Sequence, residues 1–178
     1  MEVGEKMSKK GRLNYIIVAA LIAAIYAGLT FLISPLAYGP IQLRISEILT
    51  ILPIFTPAAI PGLTIGCLIA NIGSFNYIDM IFGTFATLAS AFLTYFLKDI
   101  KFKGIPFFAM FPPVIVNAII IGFEIAVFFM PDASFVWAFL LSAAQVGIGQ
   151  LIVCYVLGVP FYLAINKYNF FERLNNKR

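Results

Sequence analysis

Residues 41–52 read IQLRISEILTIL, and two charged side chains, Arg44 and Glu47, stand three residues apart at the start of this apolar run. The whole chain of 178 residues is 62% hydrophobic and only 11% charged, whereas soluble domains are about half apolar. A composition this apolar leaves too few polar groups to cover a soluble surface. The sequence therefore predicts an all-α integral membrane protein, folded as a single membrane domain over residues 1–178.

Apolar segments divide the chain into six predicted transmembrane helices, because a span needs roughly 20 apolar residues. Spans two and three are short, and the three prolines of LPIFTPAAIPG separate them. Span six is longer than a bilayer requires, so its tail is expected to kink or to leave the membrane after Pro160. The predicted spans cover about residues 13–34, 41–55, 58–73, 77–97, 105–130 and 135–166.

The distribution of basic residues predicts the orientation, because cytoplasmic segments are enriched in Lys and Arg. Basic residues cluster at both termini and in the loop KDIKFKG before span five, whereas the loop PDAS after span five has none. Both termini are therefore predicted to be cytoplasmic. Arg44 is the exception, since it follows the first external loop, SPLAYGPIQ.

On this topology, most polar side chains within the spans gather in the outer half of the bilayer. A charge in hydrocarbon costs several kcal/mol unless it is paired or hydrated, so such residues face a cavity or a partner. The sequence predicts a shared pocket open to the outside. The candidate pocket residues are Arg44, Glu47, Asn71, Asp79, Asn117, Glu124 and Gln145.

Structural interpretations of single candidates remain open. Arg44 and Glu47 have the spacing of an ion pair within one helix, and Asp79 has the position of a helix cap. Asn117 and Gln145 suit hydrogen bonds between helices. Glu124, within IIIGFEIAVFF, needs a partner or a ligand. Carboxylates accept N–H groups and amides both donate and accept, which suits a small, flat, nitrogen-rich molecule with a cationic amine.

Small residues at a spacing of four allow another helix to approach closely. Span one has two adjacent rows of this kind, and span three has one, for which we expect internal packing. For span one, internal packing and a partner helix both remain open. The rows are Ala19, Ala23 and Ala27, then Ala20, Ala24 and Gly28, and in span three Gly62, Gly66 and Ala70.

Several function classes are excluded by missing motifs. The chain has no GxxxxGK[ST] phosphate loop and no histidine, so it does not hydrolyse nucleotides itself or build a histidine-based zinc site. We expect neither an enzyme nor a cofactor, metal or nucleic-acid partner. Cys67 and Cys154 lie in apolar segments and are predicted to be buried free thiols.

Four blocks of the sequence together resemble the QueT family, over roughly residues 13 to 165. They read YGPIQLRISEILTILPIFTPAAIPGLTIGCLIAN, IDMIFGTFATL, PPVIVNAIIIGFE and QVGIGQLIVCYVLGVP. The resemblance implies a six-helix substrate-binding (S) component of an energy-coupling factor (ECF) transporter in the plasma membrane of a bacterium. It implies capture of a queuosine precursor, 7-aminomethyl-7-deazaguanine or a queuine-like deazaguanine. It also implies docking on a transmembrane coupling subunit bound to two ATPases, through an alanine face that maps to Ala19, Ala23 and Ala27.

For such a ligand we expect Glu47 and Glu124 to divide the ring N–H edge and the cationic aminomethyl group. Asn117 and Gln145 are expected on the ring edges, and Arg44 on the ring carbonyl or holding Glu47. The external loop 35–43 is expected to close over the ligand before the protein tips in the membrane. The alternatives are an S component for another small vitamin or base, a self-contained ion-coupled carrier that uses Glu124, and a structural membrane subunit.

Overall fold

A computed structural model describes residues 8–33, 44–72, 77–168 and 171. Within these ranges the chain is helical, and its one pairing of strand type is the isolated bridge between Phe102 and Ile105. The helices are α1 (Lys9–Leu32), α2 (Ile45–Ile54, a 3₁₀ helix), α3 (Ala59–Ile72), α4 (Tyr77–Leu97), α5 (Pro112–Glu124), α6 (Phe135–Leu151) and α7 (Gly158–Tyr168).

Four continuous helical stretches are long and apolar enough to cross a bilayer: Lys9–Leu32, Tyr77–Leu97, Phe107–Phe129 and Phe135–Tyr168. α2 and α3 have only 10 and 14 residues, and the 3₁₀ form of α2 accommodates Pro53 within it. The predictions of a helical membrane fold and of two short segments are confirmed. The count of six crossings and the cytoplasmic termini remain predictions.

π-helical turns extend two of the long helices. Ile125–Phe129 continues α5, and Ile152–Leu157 joins α6 to α7. π turns are rare and frequently lie at functional sites. In the described part of span six the irregularity is this π turn, which directly precedes α7 and its Pro160. Pro160 lies within a continuous helical stretch, where its nitrogen cannot donate the backbone hydrogen bond to the preceding turn.

α2 and α3 form a hairpin along α1. Near one end of α1, the hydroxyls of Thr30 and Ser46 are hydrogen-bonded over 2.7 Å. Near the other end, the Tyr15 hydroxyl donates to the carbonyl of Pro57, in the turn between α2 and α3, over 3.4 Å. Tyr15 and Thr30 are separated by about 22 Å of helix. The two short helices therefore extend beside α1 for most of a bilayer core.

Glycines of α3 allow α1 to pack closely against it. A Cβ atom on Gly62 would lie 2.7 Å from the Ala19 carbonyl oxygen, and one on Gly66 would lie 2.9 Å from that of Ala23. The internal packing predicted for the row in α3 is confirmed. The alanines predicted to meet a partner, Ala19, Ala23 and Ala27, are buried on this same face of α1. The exposed row is the adjacent one, Ala20, Ala24 and Gly28.

Candidate functional site

A buried ion pair joins the beginning of α2 to the first turn of α4. Arg44 Nη2 lies 2.6 Å from Asp79 Oδ2, and the two side chains are only 6% and 5% exposed. Asn71, near the end of α3, donates from Nδ2 to the carbonyl oxygen of Asp79 over 3.0 Å. Burying two charges costs several kcal/mol of desolvation, which the pairing offsets. Arg44, Asn71 and Asp79 therefore form one unit that links three helices.

Gly83, one turn beyond Asp79, marks where these side chains converge. A Cβ atom there would lie 2.7 Å from Asn71 Nδ2, 3.5 Å from Asp79 Oδ1 and 3.6 Å from Arg44 Nη1. The glycine therefore clears the space that the polar side chains occupy. This role could not be predicted, because one glycine in an apolar helix is also common in ordinary helix packing.

Helical spacing would allow an ion pair between Glu47 and Arg44, but the two side chains do not form one. Its Oε1 atom accepts a hydrogen bond from the hydroxyl of Tyr26 on α1. Tyr26 is completely buried and Glu47 is 2% exposed. Glu47 Oε2 is also buried, and no described residue donates a hydrogen bond to it. One carboxylate oxygen of Glu47 is thus held by the protein and the other is available.

Glu124 is the last residue of α5, where the helix changes to the π turn. Its side chain is 1% exposed, and its buried Oε2 accepts no hydrogen bond from the residues that the structure describes. The charges of Asp79 and Arg44 both act on it, the aspartate by repulsion and the arginine by attraction. Glu124 therefore belongs to the same polar region as the ion pair, without being bonded to it.

No described hydrogen bond links the two remaining candidates, Asn117 and Gln145, to this cluster. Asn117 is buried, and its Nδ2 donates to the carbonyl of Pro113 in its own helix over 2.9 Å. Gln145 is half-buried on α6. Gln150, which is not among the predicted site residues, is buried instead, with its Oε1 3.6 Å from Cys154 Sγ. The loop 35–43, expected to close over the ligand, lies outside the described residues.

The charges of this cluster determine what it can bind. Asp79 neutralises Arg44 in the ion pair. Among the described residues, no cation forms an ion pair with Glu47 or Glu124, so these two carboxylates remain for a ligand. Each has one buried oxygen to which no described residue donates a hydrogen bond. Buried carboxylates of this kind are stabilised by N–H donors and by a positive charge. The arrangement suits a cationic ligand that carries several N–H groups.

Long apolar helices that enclose such a cluster are typical of an integral membrane protein, in which buried charged residues commonly mark a substrate or ion pathway. A sequence profile of the QueT transporter family matches residues 16–167, so the chain belongs to this family, as the resemblance indicated. The family consists of transporters and not of enzymes.

One curated relative is named "Queuosine precursor transporter QueT" and comes from Lactococcus lactis subsp. cremoris (strain MG1363). It is 40% identical to this chain over 97 residues, which are 53% of this chain and 57% of the relative. The alignment thus covers little more than half the length of the relative. No solved structure matches the chain.

Proposed function

We propose that the protein is the substrate-binding component of an ECF-type transporter and that it imports a queuosine precursor, 7-aminomethyl-7-deazaguanine or a queuine-like deazaguanine. Membership of the QueT transporter family and the name of the relative support a substrate of this kind. The structural observation that carries the proposal is the pair of buried carboxylates, Glu47 and Glu124, each with an oxygen that no described residue bonds.

The chemistry of the ligand matches these two groups. A deazaguanine presents adjacent N–H groups on one edge of its ring, and its aminomethyl substituent is a cation. Two carboxylates therefore satisfy the two donor sites of one molecule. Arg44, fixed by Asp79, and Asn71 shape the adjacent wall. Asn117 and Gln145 contact the ring edges in this proposal, for which Asn117 exchanges its bond to Pro113 for one to the ligand.

ATP-driven transport requires a partner, because the chain has no phosphate loop for nucleotide hydrolysis. The proposed partner is a transmembrane coupling subunit that carries two ATPases. Its docking surface on this chain is the row Ala20, Ala24 and Gly28, which is exposed. No heavy atom lies within 4 Å of a Cβ placed on Gly28. Small side chains at this spacing allow close contact between helices within a membrane.

The proposed cycle involves binding and reorientation without covalent chemistry. The protein resides in the bacterial plasma membrane, and the segment 35–43 closes over the bound ligand. The docked protein then tips within the bilayer, driven by the ATPases, and releases the ligand inside the cell.

Ligand-dependent thermal unfolding of the detergent-purified protein tests the substrate class. A ligand that binds only the folded state stabilises it by about 2.7 kcal/mol at a hundredfold excess over Kd. The panel contains 7-aminomethyl-7-deazaguanine, queuine, guanine and unrelated vitamins. We expect stabilisation by the deazaguanines alone. Stabilisation by an unrelated vitamin would indicate an S component of different specificity, and no shift with any compound would favour a structural subunit.

A second candidate function is an ion-coupled carrier, which is favoured by the absence of any described hydrogen-bond donor to Glu124 Oε2. Uptake by proteoliposomes separates the two. An S component transports only when the coupling subunit and ATPases are present with ATP. A carrier transports alone along an ion gradient.

A further inference from the structure

The hydroxyl of Tyr26 connects α1 directly to a carboxylate of the candidate site. We propose that Tyr26 is a positioning residue that fixes Glu47, so that Glu47 offers one oxygen to the ligand and receives its cationic amine, while Glu124 receives the ring N–H edge. This inference rests on the proposed function and assigns the two carboxylates their separate roles.

Tyr26 is held in place by its surroundings. Its side chain is completely buried, and Gly66 of α3 leaves room for it, since a Cβ on Gly66 would lie 2.9 Å from Tyr26 Cβ. One turn further along α1, the Thr30 hydroxyl donates to the Tyr26 carbonyl over 2.9 Å and accepts from the Ser46 hydroxyl over 2.7 Å. These contacts fix α1 against α2, so the position of the Tyr26 hydroxyl relative to Glu47 is defined by the fold.

This geometry leaves Glu47 with one oxygen that no described residue bonds. A phenol has a single O–H donor, and Tyr26 directs it at Glu47 Oε1. A hydrogen bond from a hydroxyl to a carboxylate is charge-assisted and among the stronger kinds in proteins. Glu47 Oε2 then remains as the buried oxygen without a described donor.

Glu124 differs from Glu47 in this respect. Neither of its oxygens accepts a hydrogen bond from a described residue, and its Oε2 is buried. A planar pair of N–H groups requires two acceptor oxygens side by side, as in other bidentate carboxylate contacts. An ammonium group carries three N–H donors that diverge from one nitrogen, so it takes only one acceptor oxygen from each residue that it meets. Glu124 therefore suits the ring edge, and Glu47 suits the amine.

Titration calorimetry with two ligands tests the assignment. The ligands are 7-aminomethyl-7-deazaguanine and 7-cyano-7-deazaguanine, which has the same ring edge but no positive charge. We expect Tyr26→Phe to weaken binding of the aminomethyl ligand about tenfold, the loss of one hydrogen bond to a charged group, and to change binding of the cyano ligand less than about twofold. In the Glu47→Gln background, Tyr26→Phe should cause no further loss of preference for the aminomethyl ligand.

Tyr162→Phe is the matched control, because it also removes the hydroxyl of a buried tyrosine, which donates to the carbonyl of Gly104 and not to Glu47. It should leave the ratio of the two affinities unchanged. If Tyr26→Phe weakens both ligands equally, or neither, the assignment of Tyr26 is overturned while the proposed function stands. If the unmodified protein binds no deazaguanine, both are overturned.

A second measurement retains the hydroxyl and applies if Tyr26→Phe does not fold. With 3-fluorotyrosine at position 26, the ¹⁹F resonance should move when the aminomethyl ligand binds and move much less with the cyano ligand. Equal responses to both ligands would contradict a role for Tyr26 at the amine.

Discussion

Gly66 and Tyr26 lie so close across the contact between α3 and α1 that a Cβ on Gly66 would be 2.9 Å from Tyr26 Cβ. The glycine allows the close approach, and the close approach brings the Tyr26 hydroxyl to Glu47. A small residue in one helix thus determines the geometry of a carboxylate that belongs to another.

Gly66→Ala is therefore expected to be destabilising, although alanine is normally the better helix former by about 1 kcal/mol. The added methyl group meets the backbone of Ala23, and overpacking of this kind typically costs about 1–3 kcal/mol. Thermal unfolding in detergent measures the effect. Gly28→Ala is the control, since a Cβ there meets nothing within 4 Å, and it should be neutral or slightly stabilising. Equal melting temperatures for both variants would contradict the close packing.

Asp79→Asn should also destabilise the protein, because it removes the carboxylate that neutralises buried Arg44. Breaking one partner of a buried ion pair typically costs about 3–5 kcal/mol. Asp99→Asn, at an exposed aspartate in the loop after α4, should change the melting temperature little. If Asp79→Asn melts like the unmodified protein, the ion pair does not hold α2 to α4.

Part of this site was predictable from the sequence because charged residues in apolar helices have to face inward. On this ground Arg44, Asp79 and Glu124 are predicted to lie in one region; in the structure Arg44 and Asp79 form an ion pair, and the charges of both act on Glu124. Which carboxylate pairs with Arg44 could not be predicted in this way. Arg44 and Glu47 are close in sequence, yet Arg44 binds an aspartate 35 positions away.

Tyr26 and the internal row of α1 could not be predicted, because the sequence carries no signal that distinguishes them. A tyrosine in an apolar helix is equally typical of packing and of the membrane interface, so Tyr26 was missed. The two small-residue rows of α1 have nearly identical composition. In a membrane helix, hydrophobicity does not distinguish the buried face from the lipid-facing one, because lipid is itself apolar. Only the packing against Gly62 and Gly66 shows that the row at Ala23 is internal.

The position of these rows predicts how substitutions affect docking. Ala24→Leu places a larger apolar side chain on the exposed row and should abolish ATP-dependent uptake while leaving ligand affinity unchanged. Ala144→Leu, the same change at an exposed position of α6, should leave both intact. Ala23→Leu should impair folding, since Ala23 is buried. Normal uptake by Ala24→Leu would contradict docking at this row.

The hairpin of α2 and α3 predicts a specific topology. Because the turn at Pro57 contacts Tyr15, both should lie on the cytoplasmic side. The native thiols of Cys67 and Cys154 are buried, so single exposed cysteines can be labelled against a low background. Pro57→Cys and Lys101→Cys should react only with reagent from the inside, and Asp132→Cys only from the outside. Labelling of Pro57→Cys from the outside would exclude six crossings.

The proposed function depends most directly on Glu124, whose buried carboxylate has no described hydrogen-bond donor. The decisive measurement is the affinity of 7-aminomethyl-7-deazaguanine for the unmodified protein, for Glu124→Gln and for Asp132→Asn, an exposed control. We expect binding by the unmodified protein and the control, and a loss of about tenfold or more in Glu124→Gln, because hydrogen bonds to a charged group contribute about 1.5–3 kcal/mol. Unchanged affinity in Glu124→Gln would show that this carboxylate does not hold the substrate.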